Sequence, residues 1–334
     1  MDPSQFDFEL PEALIARYPA AERDGSRLLA VDRKSGQLSH LRFSDLPSRL
    51  QPGDCLVLND SKVLPARLYG KVNTAHVELL LVRQISETPN TWEALGRPGK
   101  KLKVGSTVFF DDGSTATVRE KAAQRLVLHI EAPGDFVGWL DRFGNVPLPP
   151  YLHRAAERCD RERYQTVYAT HPGSVAAPTA GLHFTAQLLE TLRLHGIRTA
   201  QLTLHVGYGT FAPVAPDATS LHHERYSIPE STVRAIKETR TAGGRVVAVG
   251  TTTTRVLESY GITGETCGET DIFIRPGHPF KWTDGLITNF HLPQSSLLML
   301  VASFLGWNQT LKAYKRAITS GYRFYSYGDA MLLL

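Results

Sequence analysis

The tightest constraint on the fold is a short apolar run set between two helical patterns. Residues 231–242 carry helical periodicity, Gly243-Gly244 stops it, residues 246–249 read as a buried strand, and residues 250–259 lead through a loop into another helix. Such αβα alternation predicts a layered α/β domain. Residues 185–195 extend the pattern. Leu188, Leu189 and Leu192 form one stripe there, Thr185 is placed to cap, Gly196 is placed to stop, and a strand-like run at 199–206 follows.

Between Pro65 and Pro149 the texture changes to short β-rich runs (ARLYGKV, HVELLLV, TWEALGR, STVFF, TATV, RLVLHI), with Asp112-Gly113 as a hairpin signal and one short helical stretch near 136–142. This predicts a small antiparallel barrel, closed by the proline cluster of GNVPLPPYL. Residues 54–59 are a further strand candidate, so the N-terminal segment is expected to join the larger domain. The reading is a mixed α/β fold: residues 1–64 and 150–334 as the larger α/β domain, residues 65–149 as an inserted small antiparallel β-barrel.

Length and composition narrow the class. A chain of 334 residues, 42% hydrophobic and 21% charged, holds roughly two domains with cores of their own. The start, MDPSQFDFEL, lacks the basic and apolar stretches of a secretory signal, and the longest apolar run, 297–305, is about half of what a membrane span needs. A cytoplasmic protein off the membrane is expected. Cys55, Cys159 and Cys267 are too far apart in sequence for a disulfide framework, structural zinc or an iron–sulfur triplet. The net charge of +4 does not by itself mark a nucleic-acid partner. Arg97, Lys100, Lys101 and Lys103, however, gather four cations on one turn of the barrel segment, suited to a phosphate backbone or simply solvated.

Four polar strings could carry chemistry. The turn Gly250–Arg255 puts Thr251, Thr252, Thr253 and Arg255 where a strand meets a helix, so backbone N–H groups and the helix dipole suit a carboxylate or phosphate. PTAGLHFT places Thr179, Gly181 and His183 in a turn before a helix. LHVGYGTF places His205, Gly207, Tyr208 and Phe211 at a strand end. TNFHLPQSS places Asn289 and His291 before a serine-capped helix, and Asp271 is expected at the entrance of a strand-like TDIFIRPG. Each histidine is also readable as a structural side chain. His222-His223-Glu224 has no metal-ligand spacing, and no metal is expected.

Taken in order over nearly the whole chain, RDGSRLLAVDR, PGDCLVLNDSKVLPARLYG, RPGKKLKVG, PLPPYLHR, GSVAAPTAGLHFT, TLHVGYGTFAPV, VGTTTTRVLES, TDIFIRPG, TNFHLPQSSLLMLV and YRFYSYGDAML resemble the S-adenosylmethionine:tRNA ribosyltransferase-isomerase family of queuosine biosynthesis. Departures are Ser61-Lys62, Ser296 and Tyr325, where the family usually has Thr-Arg, Thr and Phe. The resemblance implies transfer and isomerisation of the ribosyl group of S-adenosylmethionine onto 7-aminomethyl-7-deazaguanine at the tRNA wobble position, giving epoxyqueuosine-tRNA and releasing adenine and methionine. It implies no cofactor, S-adenosylmethionine being consumed as a substrate, and the protein is expected to act as a monomer. A base must take an acidic proton beside the sulfonium and an acid must meet the departing adenine. His183, His205, Asp271 and His291 are the candidates, with the two roles unassigned among them. Thr179, Gly181, Gly207, Thr251, Thr252, Thr253 and Arg255 are the candidates for S-adenosylmethionine, and Tyr208, Phe211 and Asn289 for the modified base. S-adenosylmethionine-dependent methyl transfer to RNA and non-catalytic RNA binding are the alternatives.

Overall fold

The computed structural model describes residues 3–123, 125–207, 209, 215 and 218–334. The N-terminal segment supplies β1 (Arg27–Val31), β2 (Leu38–Arg42), β3 (Cys55–Asn59) and β4 (Ser61–Val63). Six strands follow: β5 (Arg67–Val72), β6 (Ala75–Glu87), β7 (Asn90–Arg97), β8 (Thr107–Phe109), β9 (Thr115–Ala122) and β10 (Arg125–Glu131). Helices α1 (Phe136–Phe143) and α2 (Asp160–Arg163) lead into β11 (His171–Ser174), α3 (Ala186–Leu194), β12 (Arg198–Leu204), β13 (Glu224–Ser227) and α4 (Glu230–Thr241). The chain ends with β14 (Val246–Val249), α5 (Thr251–Thr263), β15 (Cys267–Thr270), β16 (Gly285–Asn289), α6 (Ser296–Leu305), α7 (Trp307–Thr319) and β17 (Ala330–Leu333).

Nine strands make one mixed sheet in the order β15-β13-β12-β3-β14-β16-β17-β1-β2. Its centre, β12, β3, β14 and β16, is parallel. A parallel centre has to be covered on both faces, and β14 shows how the pleat does it. Val246 and Ala248 pack with Ile236, Val256 and Met299 of α4, α5 and α6, while Val247 and Val249 join Phe43 and, from α3, Leu188 and Leu192 on the opposite face. The helix ends follow local rules. Thr185 Oγ1 accepts from Leu188 N at 3.0 Å to start α3, and Ser295 Oγ accepts from Leu298 N at 3.2 Å to start α6.

The six strands β5–β10 close into an antiparallel barrel in the order β10-β7-β6-β5-β8-β9. Helix α1 packs on its core through buried Trp139 and Leu140, the Trp139 indole N–H donating to Asp112 Oδ2 at 2.7 Å and Ser114 Oγ at 3.0 Å. The fold is therefore the expected one, a larger α/β unit carrying a small antiparallel barrel. Two local expectations change. Helix α5 needs no loop after β14, because Gly250, at φ +95°, turns the chain in one residue. Asp271 lies past the end of β15 rather than at the start of a strand, since the ladder to β13 stops at Thr270.

The turn around α2 is held by a fully buried carboxylate. Asp160 accepts from Arg154 at 2.7 and 2.8 Å, from the Tyr327 hydroxyl at 2.7 Å and from Glu157 N at 2.7 Å. Burial alone would raise its pKa, but the Arg154 hydrogen bonds, with those from Glu157 N and Tyr327, outweigh burial and hold it below the ordinary carboxylate value. A depressed native pKa stabilises the fold above the ordinary carboxylate range and loses that contribution as pH falls through it. Asp160→Asn should therefore cost on the order of 3 kcal/mol in urea melts at neutral pH. The gap to wild type should narrow as the pH falls below about 4.

Candidate active site

The connection that leaves β3 returns through α3 on one face of the sheet, while the one that leaves β14 enters α5 on the other. A crevice opens where such connections part, beyond the carboxyl ends of the strands. A cavity of about 380 Å³ fills it, and Thr179, Gly250, Thr251, Thr252, Asn289 and His291 are on its walls. No side chain caps α5, and Thr254 N is the first amide to find an acceptor inside the helix, Gly250 O at 3.1 Å. The orphan N–H groups and the positive end of the α5 dipole are thus available at the cavity. Tyr151 and Tyr325 form a second wall, their rings stacked with centroids 4.5 Å apart.

Two candidates on α5 point elsewhere. Thr253 is fully buried and its hydroxyl donates to Val249 O at 2.8 Å. Arg255, one turn into the helix, also turns away from the cavity. It pairs with Glu224, both side chains being nearly inaccessible, and donates to Ile272 O at 3.1 Å and Thr270 O at 3.4 Å. Its fork is engaged by the protein, so the expectation that it receives a substrate carboxylate is corrected. Gly181 is likewise a packing residue, since a Cβ there would collide with the Tyr168 hydroxyl.

The histidines divide. His183 lies just behind the cavity wall, stacked on Phe43 and bonded through both ring nitrogens, Nδ1 to Ser26 Oγ at 2.9 Å and Nε2 to Asn289 Nδ2 at 3.2 Å. Burial pushes its pKa down to about 4. With neither nitrogen open to a substrate, the proton-transfer expectation for His183 is corrected. His291 lines the cavity, where Nε2 meets Thr288 Oγ1 at 2.7 Å and burial lowers its pKa to about 3. It is neutral at physiological pH.

His205 and Gly207 belong to a different space, a cleft of about 1800 Å³ between the sheet and the barrel. His205 Nδ1 has no hydrogen-bond partner among the described residues. Burial lowers its pKa, His171 and Arg225 act the same way, and Asp60 opposes them. Gly173 packs over the ring, where a Cβ would sit 2.6 Å from Nδ1. Gly207 N donates to Glu224 Oε1 at 2.9 Å. Val206 borders both spaces. Asp271 borders neither.

On the barrel, Lys100, Lys101 and Lys103 are exposed on and just after the 3₁₀ turn Gly99–Lys101, and Arg97 pairs with Glu78 at 2.9 Å. Tyr208 and Phe211 lie outside the described residues. The sequence reading missed Tyr151, Thr288 and Ser26, and Tyr325 enters it only as a departure from the family pattern, where Phe is usual. Among the described residues no group of three or more His, Cys, Asp or Glu side chains is placed to hold a metal, and no helix is long and apolar enough to cross a membrane.

Fold and site define an α/β enzyme with a ligand crevice at its parallel strand ends and a barrel flanking a second cleft. The profile of the family described as queuosine biosynthesis protein matches residues 3–333, and the chain belongs to that family. A Trichlorobacter lovleyi protein named S-adenosylmethionine:tRNA ribosyltransferase-isomerase is 49% identical over 99% of both chains. One from Citrifermentans bemidjiense with the same name is 48% identical over 99% of both. A crystal structure of S-adenosylmethionine tRNA ribosyltransferase from Thermotoga maritima is 39% identical, covers 99% of this chain and all of its own, and superposes with a TM-score of 0.59.

The position of Arg255 gives a direct test. Arg255→Ala leaves Glu224 buried without its cation and should lower stability on the order of 3 kcal/mol in urea melts. Arg255→Lys should recover only part of it, since one ammonium cannot reach Glu224, Ile272 O and Thr270 O together.

Proposed function

We propose that this enzyme transfers and isomerises the ribosyl moiety of S-adenosylmethionine onto 7-aminomethyl-7-deazaguanine at the wobble position of tRNA, giving epoxyqueuosine-tRNA, adenine and methionine. The observation that carries the reading is the crevice at the parallel strand ends, where an uncapped helix N-terminus and a stacked tyrosine pair border one cavity. S-adenosylmethionine offers a carboxylate for the first and a flat heterocycle for the second. The names of the relatives support the same substrates.

In this reading Thr251 and Thr252 hold the amino-acid end, Thr179 completes the wall, and the splayed tRNA base comes in from the cleft beside the barrel. Residues 65–149 act as an inserted domain whose Lys100, Lys101 and Lys103 meet phosphates. Of the four candidates for proton transfer, His205 lines the cleft on the tRNA side, one residue from the wall that both spaces share. No cofactor is required by a reaction that consumes its sulfonium substrate.

Incubation with S-adenosylmethionine and tRNA bearing the aminomethyl base decides the reaction by product. Adenine with methionine supports the proposal, S-adenosylhomocysteine would mean methyl transfer, and no product at all would leave an RNA-binding protein. His205→Gln should reduce single-turnover adenine release by on the order of a hundredfold with both substrates still bound. Rates close to wild type across pH would make that histidine structural. Joint replacement of Lys100, Lys101 and Lys103 by alanine should weaken tRNA binding and flatten its log–log salt dependence by roughly 0.7 to 0.9 per lost contact. An unchanged slope would return the loop to solvent.

A further inference from the structure

The Asn289 amide can present either its oxygen or its nitrogen to the cavity, and a chain of hydrogen bonds behind it decides which. Ser26 Oγ donates its one proton to the carbonyl of Arg23 at 3.2 Å. Toward His183 Nδ1, 2.9 Å away, that hydroxyl can then only accept. The ring proton is therefore on Nδ1, and Nε2 carries a lone pair. Asn289 Nδ2 fills it at 3.2 Å, which turns Oδ1 the other way. Phe43, stacked on the imidazole at 4.9 Å, keeps the ring in plane. Ser26, His183 and Asn289 are each at most 5% exposed, so water does not compete for these bonds.

The result is a buried amide oxygen with no partner on a residue that lines the cavity. An unpaired buried acceptor is costly unless a ligand fills it, and what fills it has to be an N–H or O–H donor. Among the described residues no charged side chain lines this cavity, so nothing beside Oδ1 favours a charged donor over a neutral one. A neutral N–H on a flat ring fits the wall made by Tyr151 and Tyr325.

We propose that Asn289 Oδ1 accepts the exocyclic amine of the adenine of S-adenosylmethionine, with Ser26 and His183 as positioning residues that fix the direction of the amide. This rests on the assignment of the cavity to S-adenosylmethionine. Calorimetric titration with adenosine and with purine riboside, which lacks only that amine, tests it. Wild type should prefer adenosine about tenfold, because purine riboside leaves the acceptor unpaired. Ser26→Ala should abolish the preference, since His183 can then move its proton to Nε2 and the Asn289 amide can turn over. Ser26→Thr should restore it, an effect that a purely structural serine would not give. Nitrogen-15 NMR of histidine-labelled wild type should show His183 as the Nδ1–H tautomer. Equal affinity for the two nucleosides in wild type, or an Nε2–H tautomer, overturns the proposal with no variant needed. So does a preserved preference in folded Asn289→Ala. Failure of adenosine to bind, in protein that does release adenine from S-adenosylmethionine on tRNA, removes adenine from this cavity but leaves the reaction standing. Absence of adenine release removes both.

Discussion

Parallel strands end without a hairpin to tie them together, and at the centre of this sheet the buried amide of Asn59 ties them instead. Its Nδ2 donates to Leu204 O at 3.0 Å and to Thr252 Oγ1 at 3.4 Å, and its Oδ1 accepts from Leu204 N at 3.0 Å and Ser61 N at 3.1 Å. Every hydrogen-bonding position of the amide is used. One side chain at the end of β3 thus joins the last residue of β12, the first turn of α5 and the start of β4. The floor of the cavity is set by the sheet rather than by loops, which is how a site keeps its geometry. The hydroxyl of Thr252, held from beneath, is directed by the same amide.

Beneath and beside that floor, charge and neutrality are kept apart. The Glu224–Arg255 pair is buried away from the cavity, so the only charge the helix brings there is that of its backbone dipole. His183 and His291 are neutral by burial, and in that state each can direct one hydrogen bond without carrying charge. In the neighbouring cleft His205 stands near Asp60, His171 and Arg225, and burial lowers its pKa. His205 and Val206 are successive residues past the end of β12, and Val206 reaches the cavity as well as the cleft.

The larger part of the fold was legible because its signals are local. Thr185 and Gly196 bracket α3, Gly243-Gly244 ends α4, and the β-rich texture after Pro65 with its Asp112-Gly113 turn is a barrel hairpin by short-range rules. The cavity was legible only in part, because its members come from strand ends that the sequence does not order in space. Thr251, Thr252 and Asn289 could be picked by residue type at a strand end. Arg255 was misjudged for a helical reason: four residues after Thr251 it lies a full turn into α5, beside Glu224 of β13, a partner 31 positions away. Ser26 gave no signal, since its role exists only through a histidine 157 residues downstream. Tyr151 and Tyr325 lie 174 positions apart in the chain, and their stacking becomes visible only when the two segments meet.

Backbone strain points to the same place. Among the described residues five that are not glycine have positive φ, and two of them, Gln294 at +58° and Tyr325 at +72°, line the 380 Å³ cavity. A bulky side chain in the left-handed region costs of order 1 kcal/mol or more and persists only where its surroundings impose it. For Tyr325 they do: its N–H donates to Phe290 O at 3.0 Å and its carbonyl accepts from Gly328 N at 2.9 Å. For Gln294, the N–H donates to Phe6 O at 2.8 Å. Gly250, at φ +95°, meets the same demand on the opposite wall without a side chain. Two turns with unfavourable backbone and one glycine turn thus face one space, each fixed by hydrogen bonds to another segment. Relaxing any of them would move a tyrosine wall, the helix N-terminus or the segment after Asn289. The fold accepts the strain where the ligand-facing groups must converge.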